Sequence, residues 1–189
     1  DKNRDFYTTT SPSMDILISS NLERMLYHLY GNDAKATLEL QKQLADKGRF
    51  EVSGDVLADL KDLYFGGCCD DKGTLDTIKD VYSKYGYLLD THTAVAVSVQ
   101  REYEEKTGDK RPYVIASTAS PYKFSASVLK AVAPEKCSDD EFGMVDALHE
   151  VTGVPVPAPI SVLKGAEVRF KNVCESGEME SFVLRSLGL

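Results

Sequence analysis

Only one stretch of this chain reads as a fully buried β-strand, and it has little to pair with. Tyr113-Val114-Ile115-Ala116 follow Pro112 and stop at the hydroxyl-rich Ser117-Thr118-Ala119-Ser120-Pro121. An apolar run without in–out alternation suits a strand covered on both faces, as in a parallel sheet flanked by helices. Such a sheet needs several strands, each reached through a crossover connection. The remaining sequence offers at most two further candidates, at 15–18 and 162–168. The expected class is therefore α/β, with this chain predominantly helical, carrying one or two short strands, and with its sheet partners encoded elsewhere. The first residue is Asp1 rather than Met, which agrees with the expectation of a piece of a longer protein.

Helical periodicity dominates the rest. Leu22, Met25, Leu26 and Leu29 recur at three- and four-residue steps after Ser20-Asn21, and Gly31 ends that helix. Asn32-Asp33 cap a second helix that stops at Gly48. Ser53-Gly54-Asp55 open a third, ended by Gly66-Gly67, and Thr74 starts a fourth that runs to Gly86. Asp90 is a good N-cap for a long fifth helix from Thr91 to about Lys106, closed by Gly108. Further helices are expected at about 122–132, at 139–151 behind a Ser138 cap, and at about 175–187. A Pro-rich connector spans 153–159. No linker divides these 189 residues, so 1–189 is read as one continuous portion of a domain.

Composition removes several functional classes. The 42% hydrophobic and 28% charged residues can bury a core. No run approaches the roughly 20 apolar residues of a membrane span, and there is no secretory leader, so no membrane partner is expected. The formal charge of −8 opposes broad contact with a phosphate backbone, so nucleic acid is not expected as a partner. Cys68, Cys69, Cys137 and Cys174 form no CxxC pair, and His28, His92 and His149 are the only histidines. Reduced thiols in a cytoplasmic protein, with no metal centre, are the expectation.

Two local constellations could carry chemistry, and each has a plain structural reading beside it. Ser117 and Thr118 stand where the carboxyl end of a parallel strand would present binding groups. Their hydroxyls suit a ring nitrogen or a phosphate, or else they cap the helix at 122–132. Asp90 and His92 open the fifth helix, where the positive end of the helix dipole opposes an imidazolium charge. They belong either to a ligand site or to a capped helix with a half-buried histidine. A third stretch, Ser11 to Arg24, is explained locally by a Ser20 or Asn21 cap and by Glu23 in the first turn. Arg24 could clamp a phosphate or could be solvated. No glycine-rich phosphate loop or nucleophile elbow is present.

Together, three stretches resemble the C-terminal half of the threonine synthase family, in its longer-chain branch: Ser11-Pro12-Ser13-Met14-Asp15-Ile16 continuing to Arg24, Tyr87-Leu88-Leu89-Asp90-Thr91-His92-Thr93-Ala94-Val95, and Ala116-Ser117-Thr118-Ala119-Ser120-Pro121-Tyr122-Lys123-Phe124. The order and separation of the three make the resemblance specific, and it extends over essentially the whole chain. Ser120 stands where the family turn usually has histidine, Tyr122 where a small residue is usual, and Thr91 where proline usually precedes the histidine.

The resemblance implies a pyridoxal 5'-phosphate enzyme of fold type II, similar to the tryptophan synthase β fold. It implies that the complete protein converts O-phospho-L-homoserine and water to L-threonine and phosphate. Thr118 is implied as the hydroxyl facing the cofactor's ring nitrogen, with Ser117 the nearby alternative. Asp90 and His92 are implied near the same ring edge, and Lys123 as an aid to anion binding. The family's Schiff-base lysine sits in a Ser-Phe-Lys-Asp motif that these residues lack, so no catalytic residue is assigned. The expected partners are the substrate and the N-terminal half of the same enzyme, and self-association of the isolated portion is expected. Two other readings stay open. One is a non-catalytic helical interaction module derived from such an enzyme. The other is a related lyase acting on a different phosphorylated amino acid.

Overall fold

A computed structural model describes all residues from Asp1 to Leu189. It contains nine α-helices, four short 3-10 turns and no β-strand. The chain divides into two compact units, residues 1–156 and 157–189.

In the first unit, α1 (Ser20–Leu29), α2 (Ala34–Lys47) and α3 (Gly54–Leu63) form a small helical layer in which α1 packs on both others. Leu26, Leu40 and Val56 are buried at its centre, with Leu29, Tyr30, Phe50, Val52 and Leu60 packed against them. The caps differ in detail from the sequence expectation. Ser19, not Ser20 or Asn21, caps α1 by accepting from the Leu22 amide at 3.5 Å. Asp33 caps α2 by accepting from the Lys35 and Ala36 amides, and α3 ends at Tyr64, ahead of Gly66-Gly67.

The larger part of this unit is built from α4 (Asp71–Tyr85), α5 (Thr91–Thr107), α6 (Ser125–Val132) and α7 (Glu141–Thr152). Helix α4 packs on α5 and α6, and α6 packs on α7. Ile78, Val81, Ala94, Val128, Leu129, Met144, Val145 and Leu148 are buried along these helices. The start of α4 moves forward to Asp71 because Asp70, not Thr74, is the cap, and it accepts from the Gly73 amide at 2.7 Å. Thr74 is instead buried and donates its hydroxyl back to the Asp70 carbonyl at 2.8 Å. Asp140, not Ser138, holds the N-cap position of α7. Helix α5 runs to Gly108, whose φ of 70° is a left-handed conformation that a glycine adopts without strain.

The strand expected after Pro112 does not form. Residues 112–118 have no regular secondary structure and are mostly exposed, and no backbone hydrogen bond ties them to another segment. Val114 is 99% exposed. A lone run cannot satisfy its amides and carbonyls as a strand, because that pairing requires a neighbouring strand. The same reason disposes of the other two candidates. Residues 15–18 are irregular, and of 162–168 the first four form a turn and the rest have no regular structure.

The second unit contains α8 (Ala158–Ser161), a short helix that the Pro-rich stretch did not suggest, and α9 (Met179–Ser186). No residue of this unit is buried. No helix of either unit is long and apolar enough to cross a membrane.

Candidate functional site

The chemistry-bearing residues of the first unit converge on the N-terminus of α5. Asp90 is 1% exposed, and its Oδ1 accepts from the His92 and Thr93 amides at 2.8 and 3.1 Å. Its Oδ2 accepts the Thr93 hydroxyl. The carboxylate therefore caps the helix and also anchors a side chain. Thr93 Oγ1 lies in turn 3.2 Å from Ser117 Oγ. That contact joins the start of α5 to the carboxyl end of the 113–116 segment.

His92 leans the other way. Its Nδ1 is hydrogen-bonded to the hydroxyl of Ser11, and its ring meets Phe124 edge-on, with centroids 4.6 Å apart. Ser11 is held in place by its own segment. Its amide donates to Thr9 Oγ1, while the Thr9 amide and hydroxyl both donate to the Asp15 carboxylate, at 2.7 and 2.8 Å. The adjoining Thr10 is tied to Asp71 at the start of α4. Two buried polar atoms in the cluster have no partner: Thr91 Oγ1 and His92 Nε2. Buried polar atoms left unpaired are costly, so in a native structure each calls for a missing partner.

Of the five residues proposed from sequence, the structure brings Asp90, His92 and Ser117 into one cluster. Thr118 is next in chain, exposed, with its hydroxyl making no hydrogen bond within the protein. Lys123 is also exposed. Its ammonium lies over the Phe124 ring at 5.3 Å, one ring away from His92, and it forms no ion pair. The capping role considered for Ser117 and Thr118 belongs to Ser120, which accepts from the Tyr122 amide at 3.2 Å. Arg24 takes no part, since its guanidinium donates to Asn21 one turn back on α1.

Ser11, Thr93 and Phe124 are the members that residue-by-residue reasoning did not single out. Each lay inside one of the three family-like stretches, which was the available signal. Residues 113–116 also line a cleft of about 730 Å³, walled by Leu63, Tyr64, Phe65, Val99 and Tyr103. No group of His, Cys, Asp and Glu residues is arranged to hold a metal ion, and all four cysteines are free thiols.

Residues 93–183 match the family model for the C-terminal part of threonine synthase. The chain belongs to the threonine synthase family. It is 38% identical over 125 residues to threonine synthase of Pseudomonas aeruginosa, covering 66% of this chain and 26% of that protein. It is also 30% identical over 154 residues to human threonine synthase-like 1, covering 82% of this chain and 20% of that one. The yeast threonine synthase crystal structure superposes on 97% of this chain with a TM-score of 0.76 at 25% identity, covering 37% of that chain. A pyridoxal-phosphate-bound threonine synthase from Brucella melitensis matches 68% of this chain and 27% of its own length, with a TM-score of 0.62 at 42% identity. The chain thus spans 26–37% of the length of these threonine synthases.

Proposed function

We propose that these residues form one wall of a pyridoxal 5'-phosphate site in a threonine synthase. The complete protein then converts O-phospho-L-homoserine and water to L-threonine and phosphate, and works in the cytoplasm, where its four free thiols stay reduced. The observation that carries this reading is the Thr93–Ser117 contact. It draws two family-like stretches, far apart in sequence, together at the head of α5.

The residues present suit the cofactor. Thr118 offers an exposed hydroxyl for a ring nitrogen, with Ser117 tied to Thr93 beside it, while the nearest carboxylate, Asp90, is buried and turned toward its own helix. When bound, the cofactor supplies an electron sink for negative charge at the substrate's α and β carbons. The protein's own part is to bind and orient. Thr118 meets the ring nitrogen as a neutral hydroxyl, His92 is held by Ser11 and Phe124, and Lys123 attracts an anionic group.

The lysine that carries the cofactor lies outside this sequence in our reading. A lysine nucleophile must be largely deprotonated, which takes burial or a cationic neighbour. Every lysine here is exposed. The test is to mix the chain with pyridoxal phosphate, reduce with borohydride and map the modified lysines by mass spectrometry. Scattered, substoichiometric labelling is expected. Stoichiometric labelling of one lysine, with phosphate released from O-phosphohomoserine, would overturn the assignment.

The alternative reading is a related lyase acting on another phosphorylated amino acid. Turnover of the full-length protein on O-phosphohomoserine against O-phosphoserine separates the two.

A further inference from the structure

The cluster at the head of α5 fixes where one proton points. Asp90 Oδ1 is occupied by two backbone amides, and Oδ2 takes the hydroxyl proton of Thr93. A threonine hydroxyl has a single proton to give. Since Thr93 spends it on the carboxylate, the 3.2 Å bond between Thr93 Oγ1 and Ser117 Oγ must be donated by Ser117. Ser117 then presents lone pairs alone to the exterior. Thr118, exposed and without a hydrogen bond, keeps its proton available.

We propose that Asp90 and Thr93 are positioning residues that lock the proton of Ser117 inward, so that of the two adjacent hydroxyls only Thr118 can donate to an unprotonated ring nitrogen. This rests on the cofactor reading above and deepens it. The two hydroxyls are unequal because of a buried carboxylate that never touches the ligand. A hydrogen-bond chain of this kind is directional, and breaking its middle link frees the outer hydroxyl to turn.

The test uses the full-length protein loaded with pyridoxal phosphate carrying a nitrogen-15 label in the ring. It reads the ring-nitrogen resonance and the cofactor affinity. Thr118→Val should move the resonance toward that of a nitrogen without a donor, and weaken cofactor binding roughly tenfold for one lost hydrogen bond. Ser117→Ala, at an exposed position that does not threaten the fold, should leave the resonance in place. The decisive pair is Thr93→Val or Thr93→Ser combined with Thr118→Val. With valine at 93 the proton of Ser117 is released and the resonance should return toward the wild-type position. With serine at 93 the lock persists and it should not return.

If Ser117→Ala moves the resonance as far as Thr118→Val does, the lock is wrong. It is equally wrong if the valine and serine variants at 93 behave alike. If Thr118→Val and Ser117→Ala both leave resonance and affinity untouched, the cofactor reading itself fails, and the lock fails with it.

Discussion

Ser120 decides how a change at Thr118 is to be read. Because Ser120 caps the following turn, Thr118 has no structural task that its hydroxyl performs. Thr118→Val should leave the melting temperature of the full-length protein unchanged. It should lower turnover roughly ten- to a hundredfold, the cost of about 1–3 kcal/mol for an unpaired buried group at the cofactor ring. A lowered melting temperature with wild-type turnover would assign Thr118 to the fold instead. Ser11 should behave in the opposite way. It is 2% exposed and is the hydrogen-bond partner of His92 Nδ1. Ser11→Ala strands a second nitrogen of an imidazole whose Nε2 is already unpaired. We expect destabilisation of about 1–3 kcal/mol by denaturant unfolding. A loss within a few tenths of a kcal/mol of zero would mean that water replaces the hydroxyl. At this scale Asp90 was legible in the sequence, since an acidic residue directly ahead of a long periodic stretch is a strong cap signal. The contacts of Ser11 with His92 and of Thr93 with Ser117 were not, because they join residues 81 and 24 positions apart. Local propensity carries no information about such pairings.

The elements best read from sequence were those whose ends are set by local chemistry. Helices α2 and α5 begin at an aspartate cap and end at a left-handed glycine, and both were legible. Helix α4 began earlier than expected, because the hydroxyl of Thr74 suggested a cap while Asp70, four residues before, took that role. The missing strand is a different kind of error. Tyr113 to Ala116 have strand composition, but a strand is a relation between segments, and composition cannot supply the second one. What leads the chain out of α5 instead is a turn built on Asp109. Its carboxylate accepts from the Arg111 guanidinium at 2.6–3.0 Å, from the Arg111 amide at 3.0 Å and from the Tyr103 hydroxyl at 3.3 Å. The Arg111 side chain, more than anything else, holds this carboxyl well below the usual carboxylate range. A carboxyl with a lowered native value contributes order at every pH above its ordinary value, and loses it only as pH falls through the lowered one. The Arg111 amide resonance should therefore hold its native position while the pH passes through the ordinary carboxylate range, and shift only below it. Asp109→Asn should remove that titration. A midpoint at the ordinary carboxylate value would show that the pair is screened away by solvent, as exposed ion pairs often are.

For the whole molecule, the consequence of a segment with an unpaired backbone is exposed apolar surface in one place. Val114 is 99% exposed, and beside it Leu63 and Tyr64, 62% and 56% exposed, line the cleft of about 730 Å³. Contiguous apolar surface of this kind marks a surface that other protein covers, and free amides and carbonyls on an extended run template pairing with another chain. In the family's longer members, other chain length is available to do this, since these residues correspond to only 26–37% of the threonine synthases compared. For these 189 residues on their own, other copies of the chain are the available cover. The net charge of −8 opposes that association at long range, so added salt should strengthen it rather than weaken it. Sedimentation velocity across a hundredfold concentration range should show a rising average mass, more so at high salt. Val114→Lys should suppress it, by placing a charge in the middle of the pairing edge. Because the Val114 side chain contacts solvent rather than core, the substitution should leave the helical circular dichroism and the unfolding midpoint unchanged. A wild-type chain that stays monomeric over the whole range would mean that residues 113–116 are not the adhesive surface. So would a Val114→Lys variant that associates as readily as the wild type, which would place the adhesive surface among the exposed apolar side chains elsewhere.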